Sequence, residues 1–175
     1  MYDSKKIGDI MKKIILGLIT AIVFFGCSSD NVDTKNIKPA LVIEQSLSSL
    51  TLKDQFEKSH EIDADTKRVI FAFSKDMAHT CNDYFVTKDP TYLADNNTQF
   101  VADVSAAPSI IRSMFILPGL KDFKHTVLLL DDKKIAAPYR KNIDTEKIIV
   151  VSLNNKVITK IESINSVDEL KNIIK

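Results

Sequence analysis

Glycine is scarce in this chain, four residues in 175; tryptophan is absent, histidine contributes three residues and cysteine two. With so few glycines there is no G-x-G-x-x-G or G-K-[ST] phosphate loop, which makes a dinucleotide or P-loop fold untenable. H-E-x-x-H and G-x-S-x-G are missing as well. Three histidines and two cysteines are too few for most metal cages. No excess of one charge exists either: 24 Lys+Arg face 23 Asp+Glu, a net charge of +1, and the basic residues are scattered. That removes the electrostatic basis for binding nucleic acid. The longest apolar run, residues 14–25, is twelve apolar or small residues, too short for a permanent membrane span. What is present is an ordinary globular composition, 45 % hydrophobic and 27 % charged, at a length suited to one domain with its own core. Disorder and low complexity are excluded. The residues to follow are the two cysteines, Cys27 and Cys81.

The chain reads Met11-Lys12-Lys13, then the short apolar run, then Gly26-Cys27-Ser28-Ser29-Asp30. Two lysines, a brief apolar stretch and a small residue at its end form the pattern of a secretory signal. Phe24-Phe25-Gly26-Cys27 resembles the lipobox of bacterial lipoproteins, with Phe24 where Leu is usual. The resemblance implies that the Cys27 thiol receives a diacylglycerol and that cleavage falls between Gly26 and Cys27. Each buried acyl methylene contributes about 0.8 kcal/mol, so several chains together hold a protein on a membrane almost permanently. The implied location is extracytoplasmic and lipid-anchored; Ser28 after the cysteine, rather than Asp, implies the periplasmic face of the outer membrane in a bacterium with two membranes. Residues 1–10 precede a better start at Met11 and read as a mis-called translation start. The alternative for the whole segment is an apolar helix packed on the domain, or an uncleaved anchor. Losing residues 1–26 removes four Lys and two Asp and leaves a net charge of −1.

The expected organisation is a signal peptide over 1–26, a lipidated flexible tether over 27–40 that ends in a polar stretch and Pro39, and one folded domain over 41–175. Within the domain, residues 49–53 alternate polar with apolar, and 58–63 return as a hairpin partner. Residues 68–73 (RVIFAF) are continuously apolar, as in a strand buried on both faces. Helices are expected over 76–85, 91–96 and 105–115, the last with Pro108 near its first turn. Further strands are expected over 100–104 and 126–130. Two β-rich runs, 147–153 and 156–164, flank Asn154-Asn155 as a hairpin. Ser166-Val167-Asp168-Glu169 is a capping box ahead of a C-terminal amphipathic helix.

Hairpin, βαβα, hairpin and helix is the order of a thioredoxin-like α/β sandwich, a central mixed sheet flanked by helices. Residues 52–58 (LKDQFEK), leading into Val69-Ile70-Phe71-Ala72-Phe73, resemble the opening of the peroxiredoxin and TlpA-like branches, and 148–175 resemble the closing hairpin and helix of thioredoxins. Another α/β sandwich of the same element order is the alternative. The resemblance puts the chemistry where the first buried strand meets the next helix, because a thiolate there is stabilised by unpaired N–H groups and the helix dipole. That segment is Ser74 to Cys81. Against C-x-x-C, the first cysteine position falls on Ala78, so only Cys81 remains, and one sulfur cannot run a dithiol cycle. Against the peroxiredoxin pattern Pro-x-x-x-Thr-x-x-Cys, Ser74 replaces the Pro, Ala78 replaces the Thr and Cys81 falls on the peroxide-reacting position. Thioredoxins also place a cis-Pro immediately before their third core strand, whereas residues 126–130 follow Lys124-His125.

Three readings of function remain. The first is a degenerate thioredoxin-like binding or scaffolding module, held at the membrane by lipid, with an envelope protein as partner, no nucleic acid and no cofactor; Cys81 is then a half-buried packing residue. The second is a single-cysteine thiol oxidoreductase with Cys81 as catalytic nucleophile. The third is a small-ligand carrier, which needs a roomy apolar pocket. Residues 114–120 (MFILPGL) are either a helix end packed on the core or an exposed apolar ridge for a partner. His60, His79 and His125 read as surface or strand-end residues, and Asp131-Asp132 as solvated charges at a strand exit rather than a Mg²⁺ site. Nothing supports flavin binding.

Overall fold

The computed structural model describes residues 36–174. The signal peptide, Gly26, Cys27 and most of the tether expected from the sequence lie outside the described residues.

Seven strands form one mixed sheet: β1 (Thr51–Asp54), β2 (Ser59–Glu61), β3 (Arg68–Ala72), β4 (Thr98–Asp103), β5 (Leu128–Leu130), β6 (Ile148–Asn154) and β7 (Val157–Ile164), in the spatial order β2-β1-β5-β4-β3-β6-β7. β3, β4 and β5 run parallel; β1, β2, β6 and β7 are joined by antiparallel pairings at the two sides. Successive residues of the inner strands alternate between two apolar layers. Val69, Phe71, Val101, Leu128, Ile149 and Val151 face one, and Ile70, Ala72, Phe100, Leu129, Ile148 and Val150 the other. Burial on both faces explains why β3 and β6 read as unbroken apolar runs rather than alternating ones.

Helices cover the sheet: α1 (Lys75–Phe85), α2 (Tyr92–Asp95), α3 (Ser109–Ile111), a π turn (Arg112–Ile116), α4 (Leu117–Leu120), α5 (Lys133–Arg140) and α6 (Val167–Ile173). The helix expected over 105–115 begins later, because Asp103 Oδ1 accepts the Ser105 N–H at 2.8 Å and turns the chain there. Pro108, in extended backbone, then caps the helix rather than lying inside it. The helix also continues to Leu120. Pro118 has no N–H and its ring crowds the carbonyl four residues back, and the turn ahead of it is widened to π, with the Leu117 N–H reaching Arg112 O.

α5 was not expected from the sequence. It is eight residues long, contains Pro138 and buries only Ala136 fully, so it carries too little apolar periodicity to stand out. Asp132 starts it, its Oδ1 accepting the Lys134 and Ile135 N–H groups at 2.6 and 3.2 Å, which is the role this strand-exit aspartate plays. The capping box at α6 forms: Ser166 Oγ accepts the Glu169 N–H at 3.3 Å and lies 3.0 Å from Glu169 Oε1.

The strand expected over 126–130 is β5, which extends the parallel set beyond β4, and β6 is the strand antiparallel to β3. The ladder of β1 and β5 is prolonged by a side chain. Gln55 Nε2 donates to His125 O at 2.8 Å and its Oε1 accepts the Val127 N–H at 2.9 Å, so a buried amide stands in for one more residue of strand.

Candidate functional site

The parallel strands end where α1 begins, at Ser74. Its Oγ accepts the Met77 N–H at 3.4 Å and its carbonyl accepts the Ala78 N–H at 3.0 Å. The helix N–H groups without an intrahelical carbonyl partner therefore lie ahead of residue 78, and Cys81 lies at the seventh helical position. The segment after β3 winds directly into helix at Lys75, so Cys81 stands well inside α1 rather than at its start. Cys81 points into the apolar layer that holds Phe85, Ile148 and Leu170, with no exposed surface. Burial pushes its thiol up to about 12. A thiol so placed is protonated at neutral pH and screened from a dissolved substrate. Ala78, at the other C-x-x-C position, is half-buried.

A different constellation closes this end of the sheet. Asp103, the last residue of β4, has a fully buried side chain and accepts Arg140 Nε at 2.6 Å. The same guanidinium donates through Nη2 to Phe73 O at 3.0 Å. Arg140 thus ties the ends of β3 and β4 to the end of α5, where the buried Asp103 Oδ2 and the Phe73 carbonyl would otherwise lose this donor. Arg140→Ala is expected to lower stability by about 2 kcal/mol, read as a shift in the urea midpoint with unchanged slope; an unshifted midpoint refutes this role. The pair spans 37 residues of chain, and nothing local marks it.

The segment after Asp103 carries the apolar ridge. Phe115 and Met114 are 65 % and 63 % exposed, and Ile110 and Ile111, not singled out in the sequence, are exposed beside them. Leu117 instead packs against the core with Ile116. Of the histidines, His79 is exposed on α1, His60 is half-buried in β2, and His125 is buried rather than superficial.

Asp54 and His60 form a second pair. Asp54 Oδ2 and His60 Nε2 are 2.8 Å apart, and Asp54 Oδ1 accepts the Phe56 and Lys58 N–H groups at 2.8 and 3.0 Å. Burial works to raise this carboxyl, but the hydrogen bonds from His60, Phe56 and Lys58 outweigh it and hold the pKa below the usual carboxylate value. The cleft nearby, about 650 Å³, opens where the parallel strands start, between β2 and the loops before β3, β4 and β5. It is at the opposite end of the strands from the start of α1. No group of three or more His, Cys, Asp or Glu gathers at metal-binding distance among the described residues.

The sheet and its flanking helices define a thioredoxin-like α/β fold. Solved structures of this class share it at low identity. The pneumococcal exposed lipoprotein thioredoxin of Streptococcus pneumoniae is 12 % identical with a TM-score of 0.50, over 71 % of this chain and 96 % of that one. A putative protein disulfide isomerase of Bacteroides thetaiotaomicron is 13 % identical, TM-score 0.49, over 79 % and 89 %. A peroxiredoxin-like protein of Aquifex aeolicus is 11 % identical, TM-score 0.48, over 79 % and 88 %. No protein-family model and no curated protein sequence matches the chain.

Proposed function

We propose that this chain is a lipid-anchored cell-envelope protein whose thioredoxin-like domain is a binding or scaffolding module without dithiol catalysis. The observation that carries this reading is the placement of Cys81: a lone, fully buried thiol, two turns into α1 and raised to about 12. A dithiol cycle needs a second sulfur within reach and an attacking thiolate; among the described residues Cys81 is the one cysteine. The exposed side chains of Ile110, Ile111, Met114 and Phe115, next to the end of the sheet where this fold carries its chemistry, support docking of a protein partner there. The Phe24-Phe25-Gly26-Cys27 sequence supports the anchor, on the periplasmic face of the outer membrane where there are two membranes.

Crosslinking from whole cells tests the binding reading. Wild type and Cys81→Ala should capture the same envelope protein, and Ile110→Ser/Phe115→Ser should retain less than about a tenth of it, as for loss of central apolar anchors. A partner lost with Cys81→Ala and kept by the ridge variant overturns the reading in favour of a single-cysteine thiol oxidoreductase. Mass spectrometry of the mature N-terminus tests the anchor: a diacylglyceryl-modified Cys27 is expected, and an unmodified Cys27 or a chain starting at Met1 refutes it.

A further inference from the structure

From Ala107 to Lys124, the stretch that carries the apolar ridge, every hydrogen bond closes locally. The Ala107 N–H donates to Val104 O, Arg112 Nη1 to the Ser105 and Ala107 carbonyls, and the Lys121, Asp122 and Phe123 N–H groups to carbonyls three or four residues back. Among the described residues none of these bonds reaches the sheet or another helix. What fastens the stretch is the packing of Ile116, Leu117, Leu120 and Phe123 on the apolar layer beneath and, at its far end, His125. The His125 carbonyl accepts Gln55 Nε2 at 2.8 Å. Its ring is buried against Phe85, Phe100 and Phe123, with Nε2 2.9 Å from Asn82 Oδ1 and Nδ1 without a partner. Whichever nitrogen carries the proton in the neutral ring, an imidazolium has N–H groups on both. At Nδ1 no acceptor awaits the second one, and no carboxylate takes its place. α1 presents the Asn82 amide, while its Asp76, His79 and Asp83 are exposed. β4 presents Phe100, and its Asp103 is paired with Arg140. The turn after β1 presents the Gln55 amide, and Asp54 there is held by His60 and two backbone N–H groups. Lys121, Asp122 and Lys124, beside the ring in sequence, are exposed.

We propose that His125 is an acid-released latch on the docking ridge: once protonated, its ring leaves Phe85 and Phe100, draws Phe123 out with it, and frees the stretch 107–124 from the sheet. This rests on the ridge being the docking surface proposed above and adds its regulation. A buried cation with neither acceptor nor counter-charge is costly, so the ring must reach water. It does so through the element with the fewest bonds to the rest of the molecule. α1 and β4 are fixed by their helix and their ladders, whereas 107–124 is bonded only to itself. Helical turns as short as α3 and α4 are marginal once detached, so Ile110, Ile111, Met114 and Phe115 lose their common face. Desolvation lowers the ring's pKa from 6.5 to about 4. The latch is therefore fully closed above pH 6.5 and is released as pH falls from there toward about 4.

Hydrogen exchange of the full chain in neutral detergent, read by mass on peptides and corrected for the intrinsic pH dependence of amide exchange, tests the latch at the two ends of that window. From pH 6.5 to about pH 4, wild type should show at least about a tenfold rise in corrected exchange over 107–124, with β3 and β6 unchanged. His125→Gln keeps a donor for Asn82 but cannot take up the proton, and should show no rise. His125→Phe keeps the packing and should behave the same way. No rise in wild type, a rise shared equally by β3 and β6, or a rise of the same size in both variants overturns the proposal. The measurement needs no partner protein, so a failed latch and a failed docking surface are told apart.

Discussion

Alkylation of Cys81 in the folded chain at pH 7 is expected to run at least about a thousandfold slower than in the same chain unfolded in urea. The thiolate is the nucleophile, and moving the thiol from its ordinary 9.0 to about 12 cuts the thiolate fraction by that factor. Burial adds to it, because the reagent must wait for an opening of the layer formed by α1, β6 and α6. The measurement follows the peptide containing residue 81 by mass, so that any signal from Cys27 is kept apart. Labelling in the folded chain as fast as in urea would place a reactive thiolate in the structure, and with it the single-cysteine redox reading. The same placement makes Cys81→Ser an inexact replacement: a hydroxyl in that layer needs a partner, so Cys81→Ala is the better stability control.

The second large effect concerns acid. His125, immediately ahead of β5, is packed among Phe85, Phe100 and Phe123 at ring-centroid distances of 5.5, 6.5 and 5.2 Å. Its Nε2 donates to Asn82 Oδ1 at 2.9 Å, and its Nδ1 has no partner. Desolvation lowers its pKa from 6.5 to about 4. As pH falls through 6.5 the unfolded chain takes up a proton that the folded chain refuses until about pH 4. The stability contributed by the neutral ring is therefore complete above pH 6.5 and lost between there and about pH 4, on the order of 3 kcal/mol. Below that window the depressed carboxyl of Asp54 takes over: its contribution is present above the ordinary carboxylate value and is lost as pH falls through its lowered one. His125→Phe should flatten the pH dependence between 6.5 and 4 in urea titrations. An equally steep loss in that variant would assign the acid sensitivity to another group.

Local features of the chain were legible where one short segment holds its own explanation. The RVIFAF run can satisfy its side chains only with apolar layers on both sides, and β3 has them. Ser166 and Glu169 close their capping box within one turn. The final hairpin was legible but shifted: Asn155 and Lys156, with φ of 46° and 66°, form the turn, and Asn154 pairs with Val157. The shift comes from outside the hairpin. The Lys156 carbonyl accepts the Leu47 N–H at 2.9 Å and Val157 bridges to Ser46, so an upstream segment holds the turn in its register. α5 was hidden because its start depends on one aspartate and its anchoring on Arg140, whose partners are the Asp103 carboxylate and the Phe73 carbonyl.

The candidate sites divide in the same way. That a lone cysteine follows the first buried strand, and that an apolar stretch follows Pro108, is written in residue order. Whether that thiol meets solvent was not, because exposure depends on how far back the helix starts and on which residues of β6 and α6 cover it. Sequence alone determined the class of the fold and the absence of a C-x-x-C pair at Cys81, since apolar periodicity, caps and the spacing of cysteines act over a few residues. Only the tertiary structure decided that Cys81 is sealed, that His125 is buried neutral, that Arg140 closes the end of the sheet, and that a cleft opens at the other. Each of these sets groups from distant parts of the chain in contact, and burial, which fixes their protonation, belongs to the packed molecule rather than to any segment of it.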